Sequence, residues 1–245
     1  MALPPASREP AEPPLLAAVL DELGRDIVAG VLPEGHTFTL HDLSVRFDIS
    51  RTVAREAMRA LEQLGLVSSS RRVGIKVLPE SEWAVFDHAV IGWRWAAENH
   101  RSRQLHELNQ LRYAVEPLAA GIASRRATPA QVQTLLQVAQ EMEDLAARAD
   151  ADTDRVRAAF LEADKRFHTL VLEASGNHMF AALAPSVLMQ LEARTRYGDL
   201  AVIPSPAALR AHADVARAIA DGDAGAAEAA SRQVMQEFEH TVHGE

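Results

Sequence analysis

Between Ser50 and Val77 the chain reads SRTVAREAMRALEQLGLVSSSRRVGIKV. Its first three arginines are four residues apart, so their side chains share one face if the segment is an α-helix. An apolar face lies opposite, formed by Val53, Ala57, Leu61 and Leu64. Arginine can bond two acceptors of a guanine base or bind phosphates, and a helix of this kind fits the DNA major groove. The segment therefore predicts a DNA-binding helix.

Helix signals on the N-terminal side of this segment predict two more helices. Residues 15–29 have helical apolar spacing and end near Gly30, a residue suited to a helix C-terminus. Thr39 and Asp42 match the capping pattern that opens a second helix. Ser50 can cap the arginine-bearing helix. This order is typical of a helix-turn-helix.

After Leu64 the apolar pattern changes from helix to strand. Two short apolar runs, at 66–67 and 73–78, flank a basic tip that contains Arg71 and Arg72. Two strands joined in this way form a wing. We therefore predict that residues 15–78 are a winged helix-turn-helix domain with a small two-stranded wing.

Composition restricts the class of protein. The chain has 245 residues, of which 48% are hydrophobic, enough for the cores of one or two domains. It has no cysteine, which excludes disulfides and thiolate metal sites and fits a cytoplasmic protein. No apolar run reaches the roughly 18 residues that span a bilayer, so we expect a soluble protein without membrane contact. The Pro-rich residues 1–14 predict a disordered tail.

Charge is distributed unevenly along the chain. The net charge is −9, which alone would argue against a polyanionic partner. Residues 40–77, however, hold seven basic and four acidic groups, whereas residues 79–245 hold sixteen basic and twenty-four acidic groups. The acidic part can repel DNA and confine contact to the basic face. This asymmetry indicates a molecule of two parts.

The second part is predicted to be entirely helical, so the fold class is mainly α. Residues 79–102 form an aromatic-rich connector, whose tryptophans we interpret as packing anchors between the domains rather than as ligand-stacking rings. From 103 to 245, Ala-rich segments with helical spacing alternate with Pro- and Gly-containing breaks. They predict an effector-binding bundle of six or seven helices.

One constellation of polar residues lies within the predicted bundle. Asp164 and His168 are one helical turn apart, and His212 lies on a later helix. A carboxylate and two imidazoles can share a divalent metal ion. They can equally be hydrogen-bonded helix residues, and the spacing alone leaves both interpretations open.

Residues 23–77 also resemble a known family. The pattern L-x3-I-x2-G-x-L-x2-G from Leu23, followed by SRTVAREA, L-E-x2-G-L-V and R-x-V-G-x2-V, resembles the GntR family of bacterial transcription regulators. The resemblance covers residues 23–77 and implies DNA contacts from His41, Arg51, Thr52, Arg55 and Arg71. To these the basic face and the wing tip add Arg59 and Arg72.

The bundle resembles the all-helical FCD-type effector domain of the FadR branch of that family. The resemblance rests on LRYAVEP from Leu111, on Asp164-x3-His168, on ASGN from Ala174, and on His212-x6-Ile219-x2-Gly222-Asp223. It implies a site for Zn²⁺ or a similar ion held by an aspartate and three histidines. Val234 stands where the fourth ligand would be, so three ligands and an open side remain, which water or an effector can fill.

Arg112 is the residue that we predict to bind an effector carboxylate. Its planar guanidinium matches a carboxylate with two parallel hydrogen bonds. An internal ion pair with Glu116, one turn later, is the alternative. The tryptophan-rich connector and the Val-Glu-Pro sequence resemble the subgroup that responds to sugar acids such as galactonate or gluconate. The predicted effector site comprises Arg112, Asp164, His168, Asn177 and His212.

We therefore expect a homodimeric repressor, not an enzyme, that a small carboxylate releases from a double-stranded DNA operator. A metal-dependent hydrolase built on Asp164, His168 and His212 is one alternative. Such an enzyme needs a general base beside the metal, as in His-Glu-x-x-His, and this motif is absent from the sequence. A helical scaffold that binds protein is the other alternative, and it leaves the basic segment unexplained.

Overall fold

The computed structural model describes residues 15–70, 72–148, 153–197 and 205–243, with only the backbone at 153, 190, 192–197 and 237–243. The predicted disordered tail, residues 1–14, lies outside the described residues. The chain divides into two compact units, Met1–Ser102 and Arg103–Glu245.

Three helices open the N-terminal unit: α1 (Leu15–Val28), α2 (Leu40–Phe47) and α3 (Arg51–Gln63). The predicted caps are present. The Thr39 hydroxyl accepts a hydrogen bond from the Asp42 amide, and the Asp42 carboxylate accepts one from the Thr39 amide. The Ser50 hydroxyl accepts a bond from the Val53 amide at the start of α3. These side chains satisfy amides that would otherwise lack partners, so they determine where α2 and α3 begin.

The wing contains the two predicted strands, but the sheet has three. The strands are β1 (Thr37–Phe38), β2 (Val67–Ser70) and β3 (Gly74–Val77). β3 is central and antiparallel to both neighbours. The prediction of a two-stranded wing is corrected in this respect. β1 is only two residues long, too short to show an apolar alternation, and its pairing with β3 forms it.

The predicted connector folds onto the N-terminal unit through α4 (His88–Ala96), which follows a short 3-10 turn at Glu80–Glu82. α4 packs on α1, and the indole ring of Trp93 covers Gly24. The Trp93 Nε1–H donates a 2.8 Å hydrogen bond to the Asp21 carboxylate. This ring therefore serves in packing on α1.

Six helices among the described residues make up the second unit, the first of them beginning at Glu98 just before it, in agreement with the predicted bundle. They are α5 (Glu98–Arg126), α6 (Pro129–Ala146), α7 (Thr153–Ala174), α8 (His178–Tyr197), α9 (Pro206–Asp221) and α10 (Ala224–His243). Large apolar side chains such as Phe160, Phe167 and Met142 fill the core among many alanines, which let the helices approach closely. Within the described part of the chain, no helix has the length and apolar character needed to cross a membrane.

Candidate functional sites: an arginine-lined groove and a buried polar cluster

Arg51, Arg55 and Arg59 are exposed on one face of α3, as the four-residue spacing predicted. They line a groove of about 620 Å³ together with His41 from the start of α2. The other residues of the groove are Thr39, Leu40, Met58, Ser69, Ser70, Gly74 and Ile75. The groove thus combines a row of guanidinium groups with the edge of the wing.

The opposite face of α3 holds the helix against the N-terminal core. Ala54, Ala57 and Leu61 are completely buried, whereas Val53 is only partly buried. The buried face of α3 therefore includes Ala54 in place of Val53, a small rotation from the predicted apolar face. The alanines let α3 approach its neighbours closely, and the three arginines are consequently presented outward by a rigid element.

The remaining predicted DNA contacts lie around this groove. Thr52 is exposed on α3, and Arg72 is exposed in the turn between β2 and β3. Arg71 lies outside the described residues. Ser69 and Ser70 also line the groove from β2, although they were not among the predicted DNA contacts. Their position beside the basic wing tip was the available signal. DNA contact by the individual residues stays a prediction.

The bundle encloses a cluster of five polar side chains, each between 1% and 6% exposed. Two come from α5, two from α7 and one from α9. They are Arg112, Glu116, Asp164, His168 and His212. Burying such groups is costly unless they are paired, so the contacts among them decide what the cluster can do.

Arg112 forms the internal ion pair that the sequence left open as an alternative. Its Nε donates to Glu116 Oε1 at 2.5 Å, and Nη2 lies 3.4 Å from Oε2. Burial alone would raise the pKa of Glu116, but the Arg112 guanidinium and His168 outweigh it and lower the pKa to about 2. These neighbours therefore favour the charged form of Glu116 inside the bundle.

Glu116 also contacts His168 and therefore belongs to the site. From the sequence it was predicted only as a possible partner of Arg112. Its Oε2 lies 2.7 Å from His168 Nδ1. Burial and the Arg112 charge disfavour the charged imidazole, yet Glu116 and Asp164 together outweigh them and raise the pKa of His168 above its ordinary value. The other ring nitrogen, Nε2, lies 3.3 Å from Asp164 Oδ1. Arg112 Nη2 lies 3.1 Å from Nε2 and 3.4 Å from Nδ1, and therefore over the face of the ring.

The Nε2 atom of His212 lies close to both Asp164 Oδ1 and His168 Nε2. Its Nδ1 lies 2.7 Å from the Ala208 carbonyl and must donate to it, so Nε2 of the neutral ring carries the lone pair. That Nε2 lies 3.4 Å from Asp164 Oδ1 and 3.4 Å from His168 Nε2. A backbone carbonyl that orients an imidazole in this way is typical of metal-binding histidines.

Asp164 Oδ1 is buried without a hydrogen-bond donor of good geometry among the described residues. One ligand atom from each of Asp164, His168 and His212 lies within 4.8 Å of the others. A carboxylate oxygen and two imidazole nitrogens are a donor set for Zn²⁺ and similar divalent ions. The orphaned oxygen and the two converging nitrogens therefore fit such an ion.

Two other residues of the predicted site have different surroundings. Asn177 Oδ1 accepts a hydrogen bond from the Met179 amide at 2.9 Å and so serves at the start of α8. Among the described residues, no polar contact joins Asn177 to the cluster. Val234 is buried in the apolar core on α10, so its position supplies no fourth ligand.

Both units match families of known proteins. Residues 15–77 match the family described as "Bacterial regulatory proteins, gntR family", and residues 107–237 match the FCD domain. The chain belongs to the GntR family. Its FCD domain contains all five residues of the polar cluster, and its GntR domain contains the arginine-lined groove.

Curated relatives of this GntR-family regulator include repressors from Escherichia coli (strain K12). The galactonate operon transcriptional repressor is 31% identical over 214 residues, which cover 85% of this chain and 88% of the relative. The transcriptional repressor RspR is 27% identical, with 90% and 85% covered. The chain is thus a DNA-binding transcriptional regulator, and neither the hydrolase nor the scaffold alternative finds support.

Solved structures show the same fold. The structure of Lar, described as controlling the expression of the Listeria monocytogenes agr system, superposes with a TM-score of 0.56 at 16% identity, with 96% of this chain and 99% of that chain covered. E. coli McbR/YncC superposes with a TM-score of 0.50 at 15% identity, with 95% and 99% covered. At these identities the likeness concerns the fold alone.

Proposed function

We propose that this GntR-family regulator is a homodimeric repressor that leaves its operator when a small carboxylate, such as a sugar acid, binds the FCD domain. The observation that carries the proposal is the buried guanidinium of Arg112, which contacts His168, the neighbour of Asp164 and His212. The similarity to a galactonate operon repressor supports a sugar acid as the effector.

On the DNA side, Arg51 and Arg55 are suited to base edges in the major groove, and Arg59 to the phosphates. The three exposed side chains share one face of α3, and His41 borders the same groove. The hydroxyls of Ser69 and Ser70 are suited to phosphate contacts. Arg71, Arg72 and Thr52 complete the proposed contact set at the wing and at the start of α3.

On the effector side, Arg112 is the proposed carboxylate anchor. Glu116 engages Nε, and among the described residues Nη1 has no hydrogen-bond acceptor. We propose that a ligand carboxylate engages the guanidinium at this nitrogen. Without a metal ion, the neighbouring imidazoles of His168 and His212 would offer polar partners for hydroxyl groups of a sugar acid. Asn177 is left out of the proposed site because it caps α8.

We further propose that Asp164, His168 and His212 hold a divalent metal ion such as Zn²⁺. When bound, it would supply a Lewis-acidic point to which a carboxylate or hydroxyl oxygen of the effector can attach. The protein contributes the orientation of the three ligands. Glu116 and the Ala208 carbonyl fix the imidazole rings of His168 and His212.

These contacts can supply the binding free energy needed to release the protein from DNA. Shifting a two-state equilibrium from 1:99 to 99:1 takes about 5.5 kcal/mol of differential binding. Hydrogen bonds to charged groups contribute about 1.5–3 kcal/mol each. Two such bonds to Arg112, with additional bonds to hydroxyl groups, supply this amount if they form in only one arrangement of the dimer.

Gel-shift titration of the dimer on the DNA upstream of its own gene tests the proposal. Galactonate and gluconate should release the protein, whereas galactose, which lacks the carboxylate, should not. Arg112→Lys keeps the charge but loses the planar fork, so it should bind DNA normally and ignore both acids. Equal release by galactose, or a normal response of Arg112→Lys, would overturn the assigned effector site.

A further inference from the structure

The C-terminal end of α3 is joined to the segment that follows the wing, residues 80–84. The Leu64 carbonyl, at the end of α3, accepts a 2.9 Å hydrogen bond from the Ala84 amide. The next residue, Gly65, has a φ of +72°, and a Cβ there would lie 2.0 Å from the Glu82 carbonyl oxygen. The two segments therefore touch through their backbones, without a flexible side chain between them, and a shift of one is shared by the other.

The same segment contacts the first turn of α5 through two side chains. Glu80 Oε1 lies 3.1 Å from Arg94 Nη2 on α4 and 3.7 Å from His100 Nδ1 on α5. The centroid of the Trp83 ring lies 6.1 Å from that of the His100 ring, and the Trp83 Nε1–H donates to the Leu78 carbonyl at 3.3 Å. The segment thus contacts both the end of α3 and the start of α5, and all of these residues belong to the first compact unit.

We infer that Glu80 is a positioning residue that couples α3 to the first turn of α5, so that DNA binding by α3 restricts the opening of that turn. One carboxylate oxygen of Glu80 lies close to both α4 and α5, and its partner Arg94 is buried. Coupling of this kind requires a continuous chain of contacts, which residues 80–84 supply. Because α5 continues to Arg112, the coupling also extends from α3 to the helix of the effector residue, a consequence that rests on the proposed function.

Local opening of the helix start provides the measurable quantity. The amides of His100 and Arg101 both donate to the Ala97 carbonyl, at 3.0 and 3.1 Å, and these bonds close the first turn of α5. First turns open more often than helix interiors, because few of their amides have intrahelical partners. When DNA holds α3 in one position, Glu80 restrains His100 and the two bonds open less often.

Hydrogen–deuterium exchange of the full-length protein, with and without the DNA upstream of its own gene, tests this coupling. In the wild type, DNA should slow exchange of the His100 and Arg101 amides about fivefold, the effect of about 1 kcal/mol on a local opening equilibrium. Glu80→Gln keeps the size of the side chain but loses its charge. In this variant DNA should slow the same amides less than about twofold, while α3 is protected as in the wild type.

Two references separate the coupling from a general effect of DNA. Glu82→Gln removes the same charge from the same 3-10 turn, where the Glu82 side chain is exposed and has no ion pair among the described residues, so it should behave as the wild type. The first turn of α6, which begins at Pro129 after the Thr128 cap, should exchange equally with and without DNA. Each protein is compared with itself, so a general loss of stability in a variant does not enter the comparison.

A second variant covers the case in which Glu80→Gln does not fold. His100→Gln removes the ring that faces Glu80 and Trp83 and leaves Arg94 with its carboxylate. It should lose the DNA-induced slowing of exchange at the Arg101 amide.

Unchanged exchange of the His100 and Arg101 amides on DNA binding to the wild type would overturn the coupling. So would full slowing in Glu80→Gln or in His100→Gln, an equal loss of slowing in Glu82→Gln, or equal slowing at the first turn of α6. No sugar acid enters these measurements. Failure of sugar acids to release the DNA would therefore count only against the proposed function.

Discussion

Arg112 and Glu116 form an ion pair inside the helical bundle, with 2% exposure of each side chain and an Nε–Oε1 distance of 2.5 Å. The two residues are one helical turn apart on α5, and both contact His168 on α7. It therefore links a candidate anion-binding group to a candidate metal ligand. Its stability effects can be measured separately from its role in binding.

Removal of only one partner of this pair should strongly destabilise the folded protein. Arg112→Met leaves the Glu116 carboxylate buried without its cation, which we expect to lower the free energy of unfolding by about 3–5 kcal/mol. Arg112→Met/Glu116→Gln removes both charges and should lose much less. Urea unfolding followed by circular dichroism compares the two. If the single variant proved as stable as the double variant, the pair would not be a buried charge pair of the kind described.

Arg55→Ala should weaken operator binding about 5- to 150-fold, because one good bidentate base contact is worth about 1–3 kcal/mol. Arg25→Ala is the matched control: Arg25 is exposed on α1, pairs with Asp21 and does not line the groove. Fluorescence anisotropy at several salt concentrations measures both variants. If Arg25→Ala weakened binding as strongly as Arg55→Ala, general charge rather than the α3 face would account for the contact.

Zinc should stabilise the protein through the FCD domain. Binding at a concentration 100 times the dissociation constant adds about 2.7 kcal/mol by mass action, which appears as a rise in Tm. Asp164→Asn and His212→Gln should each lose this rise, and a chelator should reverse it in the wild type. His178→Gln removes an exposed histidine of α8 and should keep it. An undiminished rise in both cluster variants would refute the metal site.

Gly24→Ala should destabilise the N-terminal unit. A Cβ at this position would lie 2.4 Å from the Trp93 ring, so α4 or the ring must move, at a cost of about 1–3 kcal/mol. Gly225→Ala is the control, because its Cβ would meet only Asp223 at 3.6 Å. Thermal unfolding followed by tryptophan fluorescence compares them. Equal behaviour of the two variants would show that the close contact between Gly24 and Trp93 is not needed.

Much of the fold could be predicted because its signals are local. The caps at Thr39 and Ser50 and the four-residue spacing of the α3 arginines involve groups within one helical turn, so they are readable in the chain itself. The strand β1 was missed for the opposite reason. Thr37 and Phe38 become a strand only by pairing with Lys76 and Ile75, almost forty residues later.

The sequence alone thus determined that α1, α2 and α3 form, which face of α3 carries charge, and that Asp164 and His168 share a face of α7, but not that the connector contains α4. Only the tertiary structure decided that His212 joins them, and that Arg112 is engaged by Glu116 while it contacts His168. The physical reason is the distance along the chain between the interacting groups. Capping and periodicity depend on neighbours along the chain, whereas the partners of a buried charge depend on which helices pack together and in what rotation.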